Sequence, residues 1–190
     1  MPSPNNKIPT KFEKPDKSPG FLLWQTINLW QRKMGAALRE SGLTHVQFVL
    51  LVSTLWLNDH GVETTQVMIA RFAHADVMMT SQVLRSLEEK DLVLRLKNPG
   101  DTRSHLISPT EKGRNLIRKS IKVVEDTDGA FFAILDNNIN EFIGNIRSAK
   151  YCIAVGNSLM IYTSYYYLSI LGYKIDNFDV DAFDPRSTNR

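Results

Sequence analysis

Between residues 62 and 110 the spacing of apolar side chains changes twice, and that change limits what the chain can fold into. A short helical pattern over about 64–73 offers Val67, Ile69, Ala70 and Phe72 for burial. His74-Ala75 make a tight turn, and Asp76 is a good N-cap for a second helix over about 77–90. Val83, Leu84 and Leu87 form its inward positions, while Thr80, Ser81, Gln82 and Arg85 are expected to face elsewhere. The period then shortens. Leu92-Val93-Leu94-Arg95-Leu96-Lys97 ends in apolar/basic alternation, Asn98-Pro99-Gly100-Asp101 is a turn signal, and His105-Leu106-Ile107 can return as a second strand. Two short helices across a tight turn, followed at once by a basic hairpin, predict a winged helix-turn-helix.

The flanking segments are helical. Ser18-Pro19 reads as an N-cap followed by a proline at the first helical position. Leu23, Ile27, Trp30, Met34 and Leu38 then form one stripe across 20–40, which Ser41-Gly42 ends. Thr44-x-x-Gln47 is a capping box for a helix that is apolar on most sides, running through Phe48 and Trp56 to the break at Asn58-Asp59-His60-Gly61. After the hairpin, Ser108-Pro109-Thr110-Glu111 combines a proline at the first helical position with a Ser-x-x-Glu capping box, so a long helix is expected from there toward residue 135. Asp136-Asn137-Asn138 break it, and Ile139, Phe142, Ile143 and Ile146 mark a further helix to about 150. The fold class is therefore mostly α. The chain is expected to divide into a flexible basic arm over 1–19, a winged-helix domain with flanking N- and C-terminal helices over 20–151, and a C-terminal extension over 152–190.

Groove dimensions suit this arrangement to double-stranded DNA. A helix fits the major groove, and polar side chains near its N-terminus reach base edges. Thr80, Ser81, Gln82 and Arg85 are the candidates there, with Gln82 suited to adenine and Arg85 to guanine or phosphate. Met78 and Met79 could touch thymine methyl groups. The preceding helix, beginning Thr64-Thr65-Gln66, would set its amides and hydroxyls against phosphate. In the wing, Arg95, Lys97 and Arg103 stand against Asp101 alone, a local net of +2, whereas Arg85 and Lys90 against Asp76, Glu88 and Glu89 leave the second helix at −1. Electrostatic grip is thus expected from the wing, with Lys97, Arg103 and His105 as its contacts, and Arg103 suited to a narrow minor groove. The formal net charge of +3 agrees with such a partner without requiring it.

Other chemistries find little support. Cys152 is the single cysteine, which excludes an intramolecular disulfide framework and a multi-cysteine zinc site. His45, His60, His74 and His105 lack zinc-ligand spacing. No nucleophile elbow or phosphate-binding glycine loop occurs, so neither an enzyme nor a cofactor is expected. No apolar stretch follows the charged N-terminus, and a cytoplasmic protein is expected. Residues 152–173 hold no charge over 22 positions, long enough to span a membrane, but Asn157, four Ser/Thr residues, two glycines and five tyrosines dilute them. A membrane-tethered regulator, or an interaction module using this segment, stays open as the second reading. Trp24, Trp30, Phe48 and Trp56 could line an effector pocket, although aromatic residues at helical spacing usually form core.

Four stretches in order resemble the MarR family of bacterial regulators. They are Gly42-Leu43-Thr44 through Gln47-Phe48-Val49-Leu50, then Leu87-Glu88-Glu89-Lys90-Asp91-Leu92-Val93-Leu94-Arg95, then Asn98-Pro99-x-Asp101-x-Arg103, then Pro109-Thr110-x-x-Gly113. The resemblance covers roughly residues 20–150. It implies a homodimer with interlocked terminal helices, binding to a palindromic operator, usually as a repressor, and often release by a small phenolic or lipophilic ligand. It also implies that Asp101 orders the wing and that Arg103 contacts the minor groove. This chain has Asp91 where the family usually has glycine, and Pro109 where it usually has leucine. The family chain normally ends near residue 150, well short of this one.

Overall fold

The computed structural model describes residues 9–155; the arm before residue 9 and the extension from residue 156 onward, with most of its uncharged stretch, lie outside them. Six α-helices and one hairpin follow in the expected order: α1 Pro19–Ala37, α2 His45–Asp59, α3 Gln66–Ala73, α4 Val77–Glu89, β1 Val93–Asn98, β2 Asp101–Pro109, α5 Glu111–Phe132 and α6 Ile139–Val155. Short 3-10 turns occupy Pro15–Lys17, Arg39–Ser41 and Ala133–Asn138.

Local chemistry sets most boundaries. Ser18 accepts the Phe21 N–H at the start of α1. Both halves of the Thr44/Gln47 capping box are formed. Asp76 caps α4 by accepting the Met79 N–H at 2.8 Å. His74 turns the chain between α3 and α4 in the left-handed region, at φ 50°. Asp91 does the same after α4, at φ 59°, where a short polar side chain carries the strain at lower cost than most. Asp136 breaks the chain between α5 and α6 at φ 42°.

The start of α5 differs from expectation. Thr110, not Ser108, is its N-cap, accepting the Gly113 N–H at 3.0 Å, and Pro109 ends β2 opposite Val93. A proline is tolerated there because it closes a strand at the sheet edge, where a missing N–H is harmless.

α2 runs through the core. Leu50 and Leu51 are fully buried and pack with Ile69, Leu84, Leu87, Val93, Ile107 and Ile117, which draws α2, α3, α4, the hairpin and α5 around one cluster. Polar ties fix the neighbours. The Gln47 Nε2 donates to Ser86 Oγ at 2.9 Å, and its Oε1 accepts from Lys90 Nζ at 3.0 Å. Asn58 Nδ2 donates to the Ile107 carbonyl at 3.1 Å, and Arg114 pairs with Asp59 at 2.7 Å. Trp30 Nε1 donates to Asp128 at 2.7 Å, tying α1 to α5. No helix among the described residues is long and apolar enough to cross a membrane.

Candidate nucleic-acid interface

The phase of α4 sorts its side chains. Thr80, Leu84 and Leu87, at i, i+4 and i+7, are fully buried. Met78, Gln82, Arg85 and Glu89 lie opposite and are exposed, Met78 to 72%. Ser81 and Met79 are half-buried on the flanks. Thr80 is therefore not a base-reading residue: its hydroxyl donates to the Asp76 carbonyl at 2.7 Å and its methyl group joins the core. Short polar residues in a first helical turn satisfy backbone carbonyls readily, which sequence spacing could not separate from a solvent-facing role. Gln82 and Arg85 stand free to meet a partner.

Thr64, expected against phosphate, likewise turns inward. It is 3% exposed; its hydroxyl donates to the Val62 carbonyl at 2.8 Å and its carbonyl accepts the Ile107 N–H at 2.7 Å. The segment before α3 thus touches β2 through one isolated antiparallel bridge, Thr65 to Leu106, beside the two-stranded hairpin. Thr65 caps α3 through the Met68 N–H at 3.4 Å, and Gln66 follows, half-buried, at the helix start.

In the hairpin, Val93 pairs with Pro109, Arg95 with Ile107, and Lys97 with His105. Buried Val93 and Ile107 place Arg95 on the inner face, where its side chain is 13% exposed and meets Glu88 at 3.7 Å. Arg95 is withdrawn from the wing charge, and Leu94 and Leu96 are the residues that stand outward, 48% and 60% exposed. The alternation in β1 is present, and its phase is fixed by Val93, which faces the core, rather than by the leucines. Lys97, nearer the tip, stays exposed, and His105 across from it is half-buried.

The tip is organised by short side chains. Asn98 Oδ1 accepts the Gly100 N–H at 2.9 Å, and Asn98 Nδ2 donates to Ser104 Oγ at 3.0 Å. Asp101 Oδ1 accepts from the Arg103 backbone N–H at 3.0 Å and from its Nε at 3.4 Å. These bonds, the backbone one first, hold the Asp101 carboxyl below its ordinary pKa. Arg103 itself is 92% exposed. An arginine aimed outward from an ordered turn can enter a groove without first losing much freedom.

The four aromatic residues do not come together. Phe48 is core. Trp56 lies between His60, with centroids 3.9 Å apart, and Phe72 at 4.9 Å. Trp30 meets His45 edge-on, and Trp24 is 63% exposed beside Phe21. None of the four lines either of the clefts that open beside the loop joining α1 to α2. Sequence reasoning also missed the Gln47, Ser86 and Lys90 network that carries α4; Gln47 was legible only as a cap. Among the described residues, no three His, Cys, Asp or Glu side chains are grouped to hold a metal ion.

Comparison with known proteins agrees with this geometry. Residues 40–126 match the ArnR1-like winged-helix domain. The chain is 49% identical over 124 residues to an uncharacterized HTH-type transcriptional regulator, YdcH, of Bacillus subtilis (strain 168), covering 65% of this chain and 84% of that one. A MarR-family transcriptional regulator from Rhodococcus sp. RHA1 superposes with a TM-score of 0.60 at 27% identity, covering 68% of this chain and 90% of its own. CouR from Rhodococcus jostii RHA1, in its complex with p-coumaroyl-CoA, gives 0.62 at 26%, covering 73% and 95%. The chain belongs to the MarR family of winged helix-turn-helix transcriptional regulators.

Proposed function

We propose that the protein is a cytoplasmic, sequence-specific DNA-binding repressor, without enzymatic activity, that acts as a homodimer on a palindromic operator and answers to a small ligand. The observation that carries DNA binding is the pairing of an exposed Gln82–Arg85 face on α4 with an ordered wing that projects Arg103. Gln82, Arg85 and the edge of Ser81 read bases in the major groove. Thr65 and Gln66 at the start of α3 meet phosphate, and Lys97, His105 and Arg103 hold the flanking groove, with Asp101 ordering the tip. α4 is close to neutral, so affinity rests on the wing and specificity on the helix.

Dimerisation is supported by apolar side chains that one chain leaves uncovered. Phe21, Leu22, Leu23, Trp24 and Ile27 of α1 are 41–63% exposed, and Ile143 and Ile146 of α6 are 40% and 48% exposed. Faces of this kind are covered by a partner in stable proteins.

Selection of bound sequences from a random duplex pool tests the proposal. Half-sites with centres about 10 base pairs apart are expected, and Arg103→Ala should weaken binding to the selected site by about 1–3 kcal/mol without lowering thermal stability. A footprint over one half-site alone contradicts the dimer, and unchanged affinity at physiological salt contradicts the wing assignment.

A further inference from the structure

β1 is an edge strand. Among the described residues the sheet has two strands, and Thr65 bridges the far side of β2, so the outer edge of β1 pairs with nothing. The register fixes which groups line that edge. Ile107, opposite Arg95, gives its N–H to the Thr64 carbonyl at 2.7 Å, and Leu92 accepts the Thr110 N–H at 3.0 Å. Bonded and non-bonded pairs alternate along an antiparallel ladder. Leu94 and Leu96 therefore bond to β2, while the backbone N–H and C=O groups of Arg95 and Lys97 point to the open edge. An edge of this length, with two leucines standing outward from it, is a template for a further strand.

We propose that residues 176–184 of this chain add to the outer edge of β1 as a third strand and thereby shield the wing. This segment, Asp176-Asn177-Phe178-Asp179-Val180-Asp181-Ala182-Phe183-Asp184, lies outside the described residues and holds four aspartates and no basic residue. From Phe178 to Ala182 apolar and acidic residues alternate, as apolar and basic residues do from Leu94 to Lys97. Side chains of a strand repeat every second residue. Any register that sets Phe178 or Val180 beside Leu94 or Leu96 therefore sets Asp179 or Asp181 on the face of Arg95 and Lys97. Apolar meets apolar on one face and acid meets base on the other, and cross-strand pairs of both kinds are favourable. A slip by one residue loses both matches at once, so the two patterns specify the pairing.

The chain is long enough to make the connection. α6 ends at Val155, and Phe178 follows 23 residues later. That length covers about 35 Å at helical rise, already the width of a small domain, and roughly 75 Å when extended. Its point of departure is near the target: Lys150, close to the end of α6, acts on His74 in the turn between α3 and α4, within the lobe that carries the wing. Docked on β1, the aspartates stand beside Lys97 and offset the positive charge of the hairpin, while the added strand occupies space that a phosphate backbone needs. This shielding rests on the DNA-binding reading above; the docking does not.

Amide hydrogen exchange of the full chain, read residue by residue by NMR, decides the docking. The Arg95 and Lys97 amides should exchange at least roughly tenfold more slowly in the native chain than in Val180→Pro, because proline cannot join a ladder. Thr188→Pro, beyond the segment, should leave the native rates unchanged. Equal exchange in the native and Val180→Pro chains, or faster exchange in Thr188→Pro, overturns the proposal. Protection that returns to an isotope-labelled Val180→Pro chain paired with an unlabelled native chain also overturns it, since the strand would then come from the partner. Affinity for a selected duplex tests the shielding: Val180→Pro and the Asp179→Asn, Asp181→Asn double variant should each bind at least roughly threefold more tightly than the native chain. Equal affinity refutes shielding. Failure of every chain to retain any duplex would sink the DNA-binding reading, while hydrogen exchange still decides the docking.

Discussion

Replacing Gly113 with alanine should destabilise the fold, against the usual gain from putting alanine into a helix. Gly113 is the third residue of α5 and is buried. A Cβ built on it would overlap the Leu92 carbonyl oxygen and stand 3.1 Å from the carbonyl carbon and 3.4 Å from the Leu92 Cα. The obstacle is backbone, so no rotamer change relieves it. The same oxygen accepts the Thr110 N–H, and Thr110 Oγ1 donates to the Asp91 carbonyl at 2.8 Å, so moving α5 away loosens both bonds. Overpacking of this kind costs about 1–3 kcal/mol, and weakening a buried backbone bond adds about 1 kcal/mol. The helical preference of alanine returns at most about 1 kcal/mol. The balance is a loss of about 2 kcal/mol, or a Tm lower by roughly 4–8 °C for a domain of this size. Thermal unfolding followed by circular dichroism, at one fixed protein concentration, measures it. An unchanged or higher Tm would show that α5 does not press on Leu92 and would refute the reasoning.

Leu84→Ala empties a fully buried position between α4 and α2 and should cost about 2–5 kcal/mol in urea unfolding. Asp101→Ala should weaken operator binding with Tm unchanged, because the carboxylate orders an exposed turn and not the core; its pKa lies below the ordinary carboxylate value, so this ordering is complete at neutral pH and fails only as the pH falls through that lowered pKa. Burial holds the His45 and His74 imidazoles below their ordinary pKa, His74 with a smaller contribution from Lys150. The fold favours both rings neutral. As the pH falls below about 6.5 the unfolded chain takes up protons first, and stability declines. Tm should drop between pH 7.5 and 5.5, and drop less in His45→Gln; an equal drop would remove His45 as a cause.

Helix ends were the most legible part of the sequence, because a cap is a local bargain between one side chain and one or two amides. Thr44 with Gln47, Asp76, and the Asn98-Pro99-Gly100-Asp101 turn all act as their chemistry indicates. Phase was less legible. In β1 either alternate set could face inward, and only the pairing of Val93 and Ile107 with the core decided that Arg95 turns in and Leu94 and Leu96 turn out. Thr80 and Thr64 were misplaced for a related reason: a hydroxyl that bonds its own backbone is polar in composition and apolar in effect.

The side-chain amide of Gln47 ties α4 to α2. One end accepts the Thr44 N–H and the Lys90 ammonium, and the other donates to Ser86. α2 and α4 are thereby stitched at the same end, while Leu84 and Leu87 seal the length between them. Displacing α4 alone would break the Gln47 bonds and open the Leu84–Leu87 packing, whereas moving α2 and α4 together as one rigid body disturbs neither.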